Sequence, residues 1–167
     1  MSPHADDIPL AGAGTDMSQR SILRPRTLHH GTMVSADLAA ARVFYEEFLG
    51  LACTAIASDQ LILRLPEPTA GGCVIEVHHV GSIDRPQNLL NHWGIDVPSR
   101  SDVDRICAAA GQHKERYGLR RVMTPRMQHG VYGFYLQDRD SNWWEIEYTD
   151  PARTHVSLIE AGDQYPD

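Results

Sequence analysis

The sequence predicts an α+β fold built from two tandem βαβββ modules. Three observations predict it. A strand-helix-three-strand pattern runs from about residue 27 to 80 and again from about 90 to 150. His30 opens the first copy and His92 opens the second, 62 positions later. Glu76 and Glu145 lie in the closing strands of the two copies.

The elements follow in order. Residues 1–26 are rich in Gly, Ala, Pro, Ser and Asp without apolar periodicity, and read as a flexible arm. LHHGTMV reads as the first strand. Asp37 then stands at an N-cap position before LAAARVFYEEFLG, where Leu38, Ala41, Phe44, Tyr45, Phe48 and Leu49 keep helical spacing and Gly50 ends the run. ACTAIA, QLILRL and CVIEVHHV are three short strands, the last two divided by PEPTAGG. In the second copy NHWGIDV is a strand. Ser101 is expected to cap a helix carrying Val103, Ile106, Cys107 and Ala110, with Asp104 completing a capping box. RRVMTP, GVYGFYLQ and NWWEIEYT follow as strands, with DRDSN as the turn between the last two. The expected organisation is an arm at 1–26, module one at 27–82, module two at 88–150, and a polar tail at 151–167 with a small apolar patch, VSLI.

Composition narrows the function classes. A formal net charge of -7 opposes nucleic-acid binding, and the arginines at 20, 24 and 26 and at 116, 120, 121 and 126 read as solvated surface. One of the later arginines could alternatively meet an anionic substrate. Cys53, Cys73 and Cys107 form no CxxC pair and are odd in number, which speaks for buried free thiols in a reducing compartment. No apolar run is long enough to cross a bilayer and the first residues carry acid groups, so a cytoplasmic protein without membrane partners is expected.

Strand side chains alternate between faces. Trp93, Ile95 and Val97 oppose His92, Gly94 and Asp96, while Trp144, Ile146 and Tyr148 oppose Glu145 and Glu147. Ile75 and Val77 oppose Glu76 and His78. The same alternation repeats in FYLQ, where Phe134 and Leu136 oppose Tyr135 and Gln137. Each strand thus has an apolar side for a helix and a polar side. A polar sheet face can simply meet water. Here it repeats His and Glu at matching places in both copies. His30, Glu76, His92 and Glu145 form a set of two imidazoles and two carboxylates, which suits one divalent ion of borderline softness: Ni, Zn, Fe, Mn or Co. Four such ligands leave two octahedral positions for water or substrate. Glu147 shares the face of Glu145 and is its rival. Trp93, Trp144, Phe44 and Phe48 are assigned to helix-sheet packing. His29, His78 and His79 read as groups around the ligands or on the surface.

From Leu28 to about Thr149 these residues resemble the vicinal oxygen chelate superfamily, which includes glyoxalase I, bleomycin-resistance proteins, fosfomycin-resistance enzymes and extradiol dioxygenases. HHGTMVSADLAAARVFYEEFLGL looks like the family's opening strand and helix, with His30 seven residues before the capping Asp37. NHWGIDV looks like the fifth strand with its ligand histidine. DRDSNWWEIEY is similar to the family's DPDGxxxE turn and last strand, departing at Arg139 and Ser141, and it puts the ligand at Glu145 rather than Glu147. The resemblance implies a cup-shaped mixed sheet with helices outside, a small-molecule substrate that chelates the metal through adjacent oxygens, and a homodimer. Glu76 matches the fourth ligand of glyoxalase I and points to lyase or isomerase chemistry, with Glu145 or Glu76 as the base. The alternative is an Fe(II) or Mn(II) ring-cleaving dioxygenase of a catecholic substrate, with Tyr135 ten residues before Glu145 in the place of its catalytic tyrosine. That pattern wants a histidine where Arg126 stands; His129 is the nearest imidazole and a candidate acid-base group. A third reading is a non-catalytic small-molecule binding or resistance protein, which would need no metal.

Overall fold

The computed structural model describes residues 22–23, 27–67, 72–128 and 130–161. The fold is α+β, with one four-stranded and one five-stranded mixed sheet. The first sheet holds β1 (His30–Ser35), β2 (Ala52–Ala57), β3 (Gln60–Arg64) and β4 (Val74–His79) in the order β1-β4-β3-β2. The second holds β5 (His92–Asp96), β6 (Arg121–Val122), β7 (Arg126–Gln128), β8 (Val131–Gln137) and β9 (Trp143–Thr149) in the order β5-β9-β8-β6, with β7 also paired to β8. In each module the opening strand pairs parallel to the closing one, β1 with β4 and β5 with β9. Of the strand expected over RRVMTP (120–125) only β6 forms, and β7 is a separate short strand just beyond it. The break spans Met123–Pro125, where proline lacks the N–H that a ladder requires.

Helix α1 (Leu38–Val43) starts as expected, with the Asp37 carboxylate accepting from Ala40 N at 3.0 Å. It then passes into a π-helical turn over Phe44–Phe48, closed by Leu49 N donating to Phe44 O at 3.1 Å. Helix α2 (Arg100–Gln112) begins earlier than expected. Ser99, not Ser101, is the cap and accepts from Asp102 N, so Asp102 takes the place anticipated for Asp104. Ser101 already lies in the first turn, its hydroxyl 2.8 Å from that of Ser99. The segment after β9 forms a 3₁₀ turn (Pro151–Arg153) and a short helix α3 (His155–Ala161) with no buried residue. No helix among the described residues is long and apolar enough to cross a membrane.

The apolar faces share one core. Leu63, Val77, Val103, Leu136 and Trp144 are fully buried. Phe44 and Tyr45 of the π-helical turn pack their rings 6.2 and 5.9 Å from Trp144, so the helical segment of module one also covers the sheet of module two. Among the described residues no ladder joins the two sheets. Strands β1 and β5 meet instead as edges: a Cβ on Gly31 would lie 2.0 Å from the Trp93 ring, so only glycine lets the indole pass beneath β1. Two bonds tie the end of β1 to the β8–β9 turn: Asn142 Nδ2 donates to Val34 O and Ala36 N donates to Asp140 Oδ1. That turn is organised by Asp138, whose carboxylate accepts from Asp140 N, Asn142 N, Asn142 Nδ2 and Trp144 Nε1. Ser141 stands in it at φ 67°, the left-handed conformation usually taken by glycine.

Candidate metal centre

Register places all four candidate ligands on the polar side of the β1–β5 seam. Thr32 is opposite Glu76, and Gly94 is opposite Glu145. Because alternate residues share a face, His30 joins Thr32 and Glu76, and His92 joins Gly94 and Glu145. Thr32 and Met33 of β1 line one recess together with His92 and Trp93 of β5, so the two strands adjoin there.

Within that frame the ligands form two pairs. His92 Nε2 lies 3.0 Å from Glu145 Oε2, and His30 Nδ1 lies 4.0 Å from Glu76 Oε1. Among the described residues, no group of three or more His, Cys, Asp or Glu side chains is close enough to hold a metal ion. His30 turns toward His29, with the two Nδ1 atoms 3.0 Å apart. His78 lies 3.5 Å from Glu76 on the same face. His129 lies outside the described residues.

The module-two pair is the more tightly built. His92 Nδ1 is 2.7 Å from Leu89 O, which can only accept, so Nδ1 carries the proton. In the neutral ring Nε2 then presents a lone pair to a carboxylate oxygen 3.0 Å away. Two acceptors at that distance need a proton or a cation between them. The other oxygen of Glu145 accepts from Gln128 Nε2 at 3.3 Å, and the same amide donates to Tyr135 Oη at 2.7 Å. Arg126 Nε in turn holds Gln128 Oε1 at 2.9 Å. Burial first, then hydrogen bonding to Glu145, pushes the Tyr135 phenol up to about 12. Its ring sits edge-on to His92 at 5.1 Å. Glu147 is buried beside them, and burial followed by the Glu145 charge raises its pKa.

The module-one pair is looser. Glu76 is half-buried and accepts from Gln60 Nε2 at 3.1 Å through Oε2. Gln60 and Gln128, each orienting one carboxylate, are not anticipated from the sequence. Gln60 could be found from strand register, since it pairs with His78 beside Glu76. Gln128 follows a strand break and carries no such signal. Of the later arginines, Arg116 pairs with Glu47 and Arg120 donates to Arg139 O, so these two serve the fold, as does Arg139 in its pair with Asp37.

The fold is that of a protein made from a duplicated strand-helix-strand module. Residues 27–146 match the model of the Glyoxalase/Bleomycin resistance protein/Dioxygenase superfamily, and the chain belongs to that superfamily. Among solved structures it resembles a possible glyoxalase from Bacillus cereus at 22% identity and a TM-score of 0.57, over 73% of this chain and 98% of that one. It also resembles a superfamily enzyme from Burkholderia phytofirmans PsJN at 15% identity and a TM-score of 0.59, over 74% and 99%. A mutant of the fosfomycin resistance protein FosX from Listeria monocytogenes, solved with Mn(II) and 1S,2S-dihydroxypropylphosphonic acid, is similar at 15% identity and a TM-score of 0.55, over 75% and 90%. No curated protein matches the chain. At these identities the likeness is one of fold.

Proposed function

We propose that this chain is a divalent-metal enzyme of the superfamily acting on a small molecule with two adjacent oxygens, in a lyase or isomerase reaction of glyoxalase type. The observation that carries the proposal is the His92–Glu145 pair, in which His92, oriented by Leu89 O at Nδ1, places Nε2 3.0 Å from a carboxylate oxygen. The donor set fits a borderline divalent ion. His92 and Glu145 would hold it from module two, and His30 and Glu76 would join from across the seam once His30 turns away from His29. A bound ion would supply Lewis-acid polarisation of a substrate carbonyl.

The chain's own groups divide the remaining work. Glu145 has one oxygen held by Gln128 and is suited to stay fixed. Glu76 accepts from the Gln60 amide with His78 and His30 at 3.5 and 4.0 Å, and it is more exposed than Glu145, so it is the better proton acceptor. Tyr135, held well above the usual range of a phenol, stays protonated and donates. Metal content after purification without chelator tests the reading, together with Glu76→Gln. About one ion per chain, weakened by that substitution, supports it; an ion-free protein that takes up none of Ni, Zn, Fe, Mn or Co sinks it.

Tyr135 beside both His92 and Glu145 supports a second reading, a ring-cleaving dioxygenase using His30, His92 and Glu145. Retention of iron in Glu76→Gln with oxygen uptake on catechol would favour it over the first.

A further inference from the structure

We infer that Arg126 is the docking group for a carboxylate on the substrate, so that the site takes molecules with one anionic group beyond their two metal-binding oxygens. The inference rests on the metal reading for where those two oxygens sit.

Arg126 stands on β7, opposite Gly133 of β8. Gln128, two residues on, shares its face. That face is the polar one: Gly133 is opposite Glu147, and Tyr135 is opposite Glu145. Gly133 puts no side chain between Arg126 and Glu147, and a Cβ there would lie 2.7 Å from Ile146 O. The hydrogen bonds follow the register. Arg126 Nε donates to Gln128 Oε1 at 2.9 Å, and the Gln128 amide donates to Tyr135 Oη and to Glu145 Oε1. One amide group therefore separates the guanidinium from a candidate metal ligand.

The fold does not use the charge of Arg126. Its Nε is its one bonded donor among the described residues, and the acceptor is a neutral amide. Glu145 and Glu147 lie on the same face, yet among the described residues neither forms an ion pair with it. Arg42, Arg105, Arg116 and Arg139 by contrast each pair with an Asp or a Glu. Orienting Gln128 needs only a neutral donor, so the charge is left for something else. Arg126 is exposed, and the bond at Nε fixes the plane of the guanidinium while leaving its Nη1–Nη2 edge open. That edge matches the two oxygens of a carboxylate. A guanidinium keeps its proton in a protein, so Arg126 brings a fixed charge and not an acid-base group. In a chain of net charge -7, with two carboxylates on this face, an anion needs such a cation to approach. One guanidinium balances one carboxylate, whereas a phosphate dianion would leave a charge over beside Glu145 and Glu147.

The test uses the mono-hydroxamic acids of succinic, glutaric and adipic acid. Their hydroxamate offers two adjacent oxygens and their far end is a carboxylate. Each is compared with its ω-amide, and three lengths are used so that no spacing is assumed. Binding to the Zn(II)-loaded protein is followed by calorimetry. At the best length the acid should bind about fivefold or more tighter than the amide. Arg126→Met should erase that preference and leave amide binding within about twofold. Arg126→Lys, which keeps the charge, should retain part of the preference. Acid and amide weakened alike by Arg126→Met would mean that the residue only holds Gln128, and overturns the assignment. Equal binding of acid and amide at all three lengths also overturns it. A second arm needs no metal. In metal-free protein labelled with 15N-arginine, the Arg126 Nε signal, identified by its loss in Arg126→Lys, should move with glutarate but not with glutaramide, and by more than the signal of the exposed Arg85. A protein that takes up no Zn(II) loses the metal reading, and this signal then decides alone: a glutarate shift specific to Arg126 keeps the docking site, and equal movement of both signals removes it. Zn(II) uptake without an acid preference keeps the metal reading and removes the docking site.

Discussion

At Glu145 one carboxylate oxygen is already engaged by Gln128, and the amide is itself held by Arg126. Groups that orient a ligand typically govern metal affinity by about 10–100-fold. Gln128→Leu is therefore expected to weaken metal binding by about tenfold or more while leaving the circular dichroism spectrum unchanged, measured by competition with a metal-sensitive dye. Tyr45 gives the opposite kind of residue. It is 0% exposed and its hydroxyl has no partner, and burial pushes its pKa well up. Tyr45→Phe removes an unsatisfied polar group without leaving a cavity and is expected to stabilise the protein by about 1 kcal/mol, read as a higher denaturant midpoint. Neither residue declares its role in the sequence. Tyr45 has helical spacing like any core aromatic, and Gln128 is one polar residue among many.

Among the elements, the β8–β9 turn and the β1–β5 seam position the site. Asp138 is buried in the turn, and burial outweighs its donors and raises its carboxyl to about 6. The folded chain thus holds that proton more tightly than the unfolded chain does. The resulting stabilisation is present at low pH and is lost as pH rises through about 6. Wild type should gain on the order of 1 kcal/mol relative to Asp138→Asn as pH falls from about 7 to about 5, measured by urea unfolding of both proteins. At the seam, Gly31→Ala puts a methyl into the Trp93 ring and is expected to cost about 1–3 kcal/mol. The midpoint of thermal unfolding checks it, and an unchanged value would mean that the edges do not meet there. Strand alternation and helix spacing are readable because they depend on local faces. The cap at Ser99 is easily mistaken because two serines stand two residues apart, and the proline that breaks the RRVMTP segment sits at its end, where it also reads as an ordinary strand stop.

At the scale of the molecule, the duplicated architecture is legible from the repeat alone, and the pairing of each histidine with a glutamate follows from strand register. How near the pairs come to one another is not legible. It depends on side-chain contacts between modules, such as Phe44 on Trp144 and Trp93 under Gly31, which no periodicity encodes. Because both pairs face one seam in one chain, equal mixtures of His30→Ala and His92→Ala proteins, unfolded and refolded together, should regain no metal binding. A centre shared between two copies would instead recover about a quarter of the sites, since half of the dimers would be mixed and each would carry one intact set. The seam itself has a mechanical meaning. Among the described residues no backbone ladder crosses it, so the two halves are held together by side chains and single hydrogen bonds: Phe44 and Tyr45 on Trp144, Trp93 under Gly31, and the two bonds from the end of β1 to the β8–β9 turn. An ion held from both sides would add one more tie, so its binding would show as a gain in the stability of the whole fold.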